Sequence, residues 1–257
     1  MNFIHPNSIS SHYGINTLLW YFTSGLPMIF LHTLPFVFLG TKFDKRLTIV
    51  VGFTIFIYTL NKHKEFRFLT QILPILFIVE AHGIDWFLKN FRSKFTRWIV
   101  PISFLLHILF GLYFSLVDRQ GQISVMTYLR TNLISNNKQN YSIDFLMPCH
   151  STPYYSFIHR NDIQLHFLTC EPNLEEFNEN YLDEADRFFL QPIDSLKNRF
   201  QSFNASHLIM FDTLYNQVRD MFEDEQNFFV KDILFNSHIQ HTSRHGKQIY
   251  ILEKTNQ

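Results

Sequence analysis

Residues 98–117 read WIVPISFLLHILFGLYFSLV, an uncharged apolar run with aromatic side chains near both ends. A membrane-spanning helix needs about 20 mostly apolar residues, because the hydrocarbon core of a bilayer is about 30 Å thick. Aromatic side chains favour the two interfaces of such a helix. The run therefore predicts a membrane span, and it decides the fold class of this part of the chain.

Three further apolar runs precede this one, at residues 25–40, 47–60 and 68–88. We expect Pro27 and Pro35 to kink the first of them, because proline removes a helical hydrogen bond. The four runs together predict a multispanning α-helical region over residues 1–117.

The charges of the loops orient the predicted spans. Two basic loops, at 41–46 and 89–97, fall on one side of a four-span arrangement, and the positive-inside rule makes that side cytosolic. The loop at 61–67 and the chain after residue 117 then face the opposite, lumenal side.

The two parts of the chain differ in charge. Residues 1–117 hold 10 Lys and Arg against 4 Asp and Glu, whereas residues 118–257 hold 12 against 18. The basic residues of the first part lie between apolar runs and not on a solvent-exposed surface. This arrangement argues against a nucleic-acid partner and in favour of membrane lipid.

Residues 118–257 read as a small soluble domain in which strands alternate with helices. This alternation favours an α/β domain with a largely parallel sheet. The predicted strands are 142–147, 163–169, 207–211 and 248–252, and the clearest predicted helices are 193–200 and 214–222.

Several residues of this domain are candidates for modification or binding. Asn140 and Asn204 begin glycosylation sequons, which agrees weakly with a lumenal side. Cys149 and Cys170, the two cysteines of the chain, can form one disulfide in an oxidising compartment. The metal-binding interpretation of His238, His241 and His245 lacks a metal-site context, so we predict no metal site.

The densest polar cluster lies between the second and third predicted spans. It contains Lys62, His63, Lys64, Glu65 and Arg67, which can together bind a phosphate and orient a hydrogen-bonding partner. The alternative interpretation is a solvent-exposed turn without a binding role, whose charges only keep the loop out of the lipid. So much positive charge on a lumenal loop runs against the positive-inside trend, which favours a role beyond topology.

Residues 62–69, KHKEFRFL, followed by Pro74, resemble the His-Lys-Glu signature of glycosylphosphatidylinositol (GPI) and dolichol-pathway mannosyltransferases, glycosyltransferase family 22. The stretch from Tyr13 to Pro27 is similar to the segment upstream of that signature. Residues 144–156, DFLMPCHSTPYYS, resemble the C-terminal region of the subfamily that adds the third mannose of the GPI anchor.

The resemblance implies a partial GT-C type fold followed by a small lumenal α/β domain, in the membrane of the endoplasmic reticulum. It implies α-1,2-mannosyl transfer from dolichyl-phosphate mannose to a GPI precursor, with no cofactor firmly implied. By the same resemblance, Lys62, Lys64 and Arg67 stabilise the departing phosphate, while Glu65 pairs with Arg67 or orients His63.

The resemblance covers only the C-terminal portion of the family, so we expect the catalytic acidic residue upstream of this chain. The identity of that catalytic residue and of protein partners stays open. A histidine-rich run of the relatives is also replaced here, by residues 16–20, NTLLW. Two other functions remain: a non-catalytic truncated homologue or partner subunit, and a sister mannosyltransferase of dolichol-linked oligosaccharide assembly.

Overall fold

The computed structural model describes residues 16–93, 95–133, 141–171, 181–222, 228–240 and 242–255. These residues form two compact units, of which the first ends at Gly111 and the second begins at Leu112. The domain boundary that we predicted after residue 117 lies slightly further along the chain.

The first unit is helical. It opens with a π-helical turn at Tyr21–Gly25 and has a short 3-10 segment at Leu31–Thr33. Its other helices are α1 (Leu26–Phe30), α2 (Leu34–Gly40), α3 (Lys45–Leu60), α4 (Phe66–Leu69), α5 (Leu73–Asn90) and most of α6 (Thr96–Leu116). Pro27 and Pro35 each stand in the first turn of a short helix, where a missing N–H costs little, so the two prolines divide this segment.

The number of membrane spans differs from our prediction. Within the described residues, two helical segments are long and apolar enough to cross a membrane, Tyr21–Gly40 and Thr96–Asn132. Helix α3 has 16 residues and a length of about 24 Å. The predicted span at 68–88 is interrupted between α4 and α5, and α5 carries charged side chains. The described residues thus do not form the multispanning bundle that we predicted.

Helices α2 and α5 approach each other at two glycines. A Cβ atom added to Gly83 would lie 2.0 Å from the backbone oxygen of Phe36, and one added to Gly40 would lie 1.7 Å from that of Val79. Only glycine fits at these points, because backbone atoms cannot move aside as the end of a side chain can.

We expect Gly83→Ala to destabilise the first unit by about 1–3 kcal/mol, the usual cost of overpacking. Gly52→Ala in α3 is the matched control, since its added Cβ would meet no atom within 4 Å. The measurement is the fraction of full-length protein that stays monodisperse after heating in detergent. If both variants lost half of their monodisperse fraction at the same temperature, the close approach of α2 and α5 at Gly83 would be contradicted.

The second unit is built on a five-stranded mixed sheet. Its strands are β1 (Ser142–Leu146), β2 (Gln164–Phe167), β3 (His207–Phe211), β4 (Phe228–Phe235) and β5 (Gln248–Lys254), in the order β2-β1-β3-β5-β4. Strands β2, β1 and β3 are parallel, whereas β5 runs antiparallel to both of its neighbours. Our prediction of a largely parallel sheet is therefore wrong for β4 and β5.

Helices cover both faces of this sheet. Helix α7 (Gly121–Tyr128) packs on one face through side chains that include Val125 and Met126. The other face packs against α9 (Glu184–Leu190), α10 (Pro192–Ser202) and α11 (Asp212–Met221). A short helix, α8, spans Tyr155–Ile158. All five residues of β3 are buried, so this strand forms the centre of a three-layer domain.

His207 on β3 makes the stability of the second unit depend on pH. Its side chain is 3% exposed, and burial lowers its pKa to about 4, against the opposing effect of the Glu253 carboxylate. Because this pKa lies below the unfolded value of about 6.5, protonation favours the unfolded chain. The stability is full above pH ~6.5, falls as the pH decreases, and levels off below pH ~4.

We expect the His207 contribution to lower the free energy of unfolding by about 2 kcal/mol between pH ~7.5 and pH ~5. His207→Gln should remove this slope, whereas His150→Gln, at an exposed position, should keep it. The readout is the urea midpoint for protease resistance of the second unit in the full-length protein. A slope that survives in His207→Gln would contradict the assignment.

Candidate functional site

The polar cluster predicted from the sequence lies in the loop between α3 and α4. Helix α3 ends at Leu60, and the backbone of the next residue, Asn61, turns to an extended conformation. The side-chain oxygen of Asn61 then accepts a hydrogen bond from the N–H of His63, at 3.3 Å. Glu65 is also extended and stands directly before α4, so the loop residues lie between two helix ends.

Lys64 holds this loop from the inside. Its side-chain nitrogen donates to the carbonyl oxygen of Asn61 at 2.7 Å and to that of Asn16 at 3.5 Å. Asn16 in turn donates through its backbone N–H to Lys62 O and through its side chain to Lys64 O. Burial lowers the pKa of Lys64. In this conformation Lys64 hydrogen-bonds within the loop, and the phosphate contact that we predicted for it stays a prediction.

Glu65 is the centre of the outward-facing part of the loop. One carboxylate oxygen lies 2.6 Å from Nε2 of His63 and accepts a hydrogen bond from Nη2 of Arg67 at 2.8 Å. The other carboxylate oxygen contacts Nε of Arg67. Glu65 therefore contacts both of the partners that we considered for it, the imidazole of His63 and the guanidinium of Arg67.

Two cations of the loop are open to an external anion. The Arg67 side chain is 73% exposed, and Lys62 is exposed as well. Guanidinium groups bind phosphate through parallel hydrogen bonds, and Arg67 is already oriented by Glu65. The ring of Trp20 lies 4.9 Å from that of Phe66, so the upstream segment packs beside the loop. Tyr13, at the start of that segment, lies outside the described residues.

A separate cavity of about 450 Å³ lies within the first unit. Most of its lining is apolar, and it includes Phe30, Phe77 and Phe104. The polar members are Thr33, Glu80 and His107, of which His107 lies 3.0 Å from the backbone oxygen of Ile29 through Nε2. This contact with the backbone gives His107 a structural role, because it connects α6 to α1.

In the second unit, Cys149 and Cys170 form a disulfide with their Cα atoms 5.9 Å apart. With His150 they are the one group of potential metal ligands found among the described residues, all within 4.8 Å of one another. Their sulfur atoms are used by the disulfide. Of the three histidines considered for a metal, His238 and His245 contact Tyr113 and Thr242 separately, and His241 lies outside the described residues.

Of the two sequon asparagines, the structure describes only Asn204. Asn204 is exposed, and its side-chain oxygen accepts a hydrogen bond from Lys254 at 2.8 Å. The hydroxyl group of Ser206 donates to the backbone oxygen of Ser142 at 2.9 Å. Asn140 lies outside the described residues.

Sequence reasoning missed a buried ionic network in the second unit. The guanidinium of Arg199 donates to both oxygens of Asp144, at 2.6 and 2.9 Å, and to Glu184 at 2.7 Å. His166 Nδ1 lies 2.5 Å from the same guanidinium. The one available signal was Asp144, a charged residue inside an otherwise apolar predicted strand.

The network shifts the pKa values of its members. Burial opposes the charge of Arg199, but the hydrogen bonds and charges of Asp144 and Glu184 outweigh it and raise the pKa of Arg199. The pKa of Glu184 is lowered overall. Burial alone would raise it, but the hydrogen bonds from Thr169 and Arg199 have the larger combined effect. The charged groups of Arg199, Asp144 and Glu184 therefore stabilise one another in a site that is partly shielded from solvent.

The loop geometry and the helical first unit agree with a membrane glycosyltransferase. The profile of the Alg9-like mannosyltransferase family matches residues 1–159. The chain belongs to this family, which is glycosyltransferase family 22.

Among characterised relatives, the chain is 35% identical over 231 residues to GPI mannosyltransferase 3 of Drosophila melanogaster, covering 82% of this chain and 40% of the relative. It is 32% identical over 263 residues to GPI alpha-1,2-mannosyltransferase 3 of Homo sapiens, covering 98% of this chain and 46% of the relative. The match to GPI mannosyltransferase 3 of Yarrowia lipolytica is 33% over 261 residues, with coverages of 93% and 49%. The chain thus spans about half the length of these relatives. No solved structure matches.

Proposed function

We propose that this protein acts in mannosyl transfer from dolichyl-phosphate mannose to a GPI-anchor precursor, adding the third mannose through an α-1,2 linkage in the membrane of the endoplasmic reticulum. The observation that carries the proposal is the loop at 61–67, where Glu65 orients His63 and Arg67 within a chain of the mannosyltransferase family. The relatives are GPI mannosyltransferases, which supports the choice of the GPI precursor as acceptor.

The loop contributes charge stabilisation to the proposed reaction. In an inverting transfer, the acceptor hydroxyl attacks the sugar carbon while the bond to the dolichyl phosphate breaks on the opposite face. Negative charge grows on the leaving phosphate, where preorganised cations have their largest effect. Arg67 and Lys62 supply those cations, and the contact between Glu65 and Arg67 limits the motion of the guanidinium. We assign no residue of the chain as the catalytic base.

We further propose that the second unit and the loop at 61–67 face the lumen. The disulfide supports an oxidising compartment, and the exposure of Asn204 makes its sequon accessible. This placement of the loop requires α3 and α5 to cross the bilayer in addition to the two longer segments. At about 24 and 27 Å they are shorter than a hydrocarbon core of about 30 Å, a mismatch that local thinning of the bilayer accommodates. Glycosidase treatment of microsomes should shift the electrophoretic mobility of the protein, but not of a variant in which both Asn140 and Asn204 are replaced by glutamine; Asn204→Gln alone should remove the part of the shift that is due to residue 204. Degradation of the second unit by protease added to sealed microsomes would contradict this orientation.

A chimera tests the function. This chain would replace the matching C-terminal segment of the human relative, in cells that lack their own third GPI mannosyltransferase. We expect the return of GPI-anchored proteins to the cell surface. A chimera that reaches the endoplasmic reticulum at normal levels without restoring surface display would instead support a non-catalytic homologue. Restoration of dolichol-linked oligosaccharide assembly, in cells deficient in that pathway, would support the sister enzyme.

A further inference from the structure

The last turn of α6 continues the apolar surface of the helix into the second unit. Leu112, Phe114 and Leu116 are all exposed there, Leu116 by 65%. Of the most apolar part of the segment Thr96–Asn132, only 6% is buried by protein. An apolar helix with so little protein around it is stable when hydrocarbon covers it, so the end of α6 marks the depth at which the chain leaves the bilayer.

A turn after β4 is fixed to this end of α6. The Ser237 hydroxyl donates to Asp118 at 2.6 Å. A Cβ atom added to Gly121 would lie 2.8 Å from Cα of Asn236, so the two backbones are in direct contact. The side chain of Asn236 donates to the backbone oxygen of Gly246 at 2.7 Å, which closes the turn. The depth of the turn therefore follows the depth of the helix end.

The same turn presents apolar and aromatic side chains to the outside. Ile239 is 49% exposed, and Phe235 at the end of β4 is also exposed. The hydroxyl group of Tyr113 lies 3.1 Å from Nδ1 of His238, and the His238 ring lies 4.7 Å from that of Phe235. Rings with an apolar body and a polar edge favour the boundary between lipid tails and head groups.

We propose that Phe114, Leu116, Phe235 and Ile239 form an interfacial patch that rests in the head-group region of the membrane and docks the second unit on the lipid surface. Lipid is the occupant because the patch is continuous with the end of a helix that hydrocarbon covers. Arg119, half exposed beside the patch, suits the phosphate groups of that layer. The patch does not depend on mannosyl transfer, so it can fail or hold independently of the proposed function.

Site-specific fluorescence in proteoliposomes tests the patch. The full-length protein would carry an environment-sensitive dye at one introduced cysteine, in the variant Ile239→Cys, with the native cysteines paired in their disulfide. Leu109→Cys in the middle of α6 is the control for the bilayer interior. Leu190→Cys, an exposed apolar position at the end of α9, is the control for water.

We expect the dye at residue 239 to emit at shorter wavelength than the dye at residue 190, and to be quenched at least twofold by nitroxide lipids labelled near the head group. Residue 109 should be quenched most by nitroxides deep in the acyl chains. If residue 239 behaves like residue 190 while residue 109 is quenched, the patch is not on the membrane. Shielding of residue 239 from both lipid nitroxide and aqueous iodide would overturn the proposal in favour of a protein partner. Absence of quenching at residue 109 would also overturn it, since α6 would then lie outside lipid.

Discussion

Replacing Arg199 with methionine should lower the free energy of unfolding of the second unit by about 3–5 kcal/mol. The substitution keeps an apolar stem of similar length but leaves Asp144, 2% exposed, without its bidentate partner. An uncompensated buried carboxylate is costly because it has lost both water and its counterion. Urea-dependent protease resistance of the second unit, in the full-length protein, measures the effect.

The control for this experiment is Arg219→Met on α11. Arg219 pairs with Asp220, and both side chains are largely exposed, so the change should stay below about 1 kcal/mol. The double substitution Arg199→Met with Asp144→Leu should recover part of the loss, because it removes the unpaired charge. A loss for Arg199→Met no greater than that for Arg219→Met would show that Asp144 is satisfied in another way.

Replacing Arg67 with methionine should lower the rate of mannosyl transfer by about 10²–10³-fold, the usual effect of removing one preorganised stabilising group. The reason is its position: the guanidinium is exposed to the outside, yet Glu65 orients it. The rate of formation of the trimannosylated GPI precursor in microsomes, per amount of chimera, is the readout.

Two further variants separate charge stabilisation from folding. Arg46→Met, at an exposed position in the first turn of α3, should leave the rate unchanged. Lys64→Met should reduce the amount of folded protein, because Lys64 hydrogen-bonds within the loop. Equal rates for the Arg67 and Arg46 variants would show that Arg67 is not part of the proposed phosphate site.

Local pattern predicted much of the second unit. The residues of β3 match the predicted strand at 207–211, and α10 and α11 overlap the predicted helices at 193–200 and 214–222. Strand β4 was missed because it lies at the sheet edge, where charged residues interrupt its apolar run and a register irregularity falls between Val230 and Asp232. The reversal of direction at β5 depends on long-range pairing, which the pattern of one strand does not contain.

In the first unit and its loop, hydropathy identified apolar segments but not where each helix ends. The break before α5 follows from Pro74 in its first turn, a local signal to which a hydropathy average is insensitive. The loop residues were predicted by type and by resemblance. The inward turn of Lys64 could not be predicted, because it depends on Asn16, 48 positions away.

The place of β5 in the sheet has a consequence for inherited variation. This strand, from residue 248 onward, lies between β3 and β4 and pairs with both, although it is the last of the five in the chain. A premature stop codon ahead of residue 248 would remove β5, which would expose the backbone edge of β3 and leave β4 without a partner. Truncating alleles of this kind would therefore be expected to yield a misfolded second unit and not merely a shortened one.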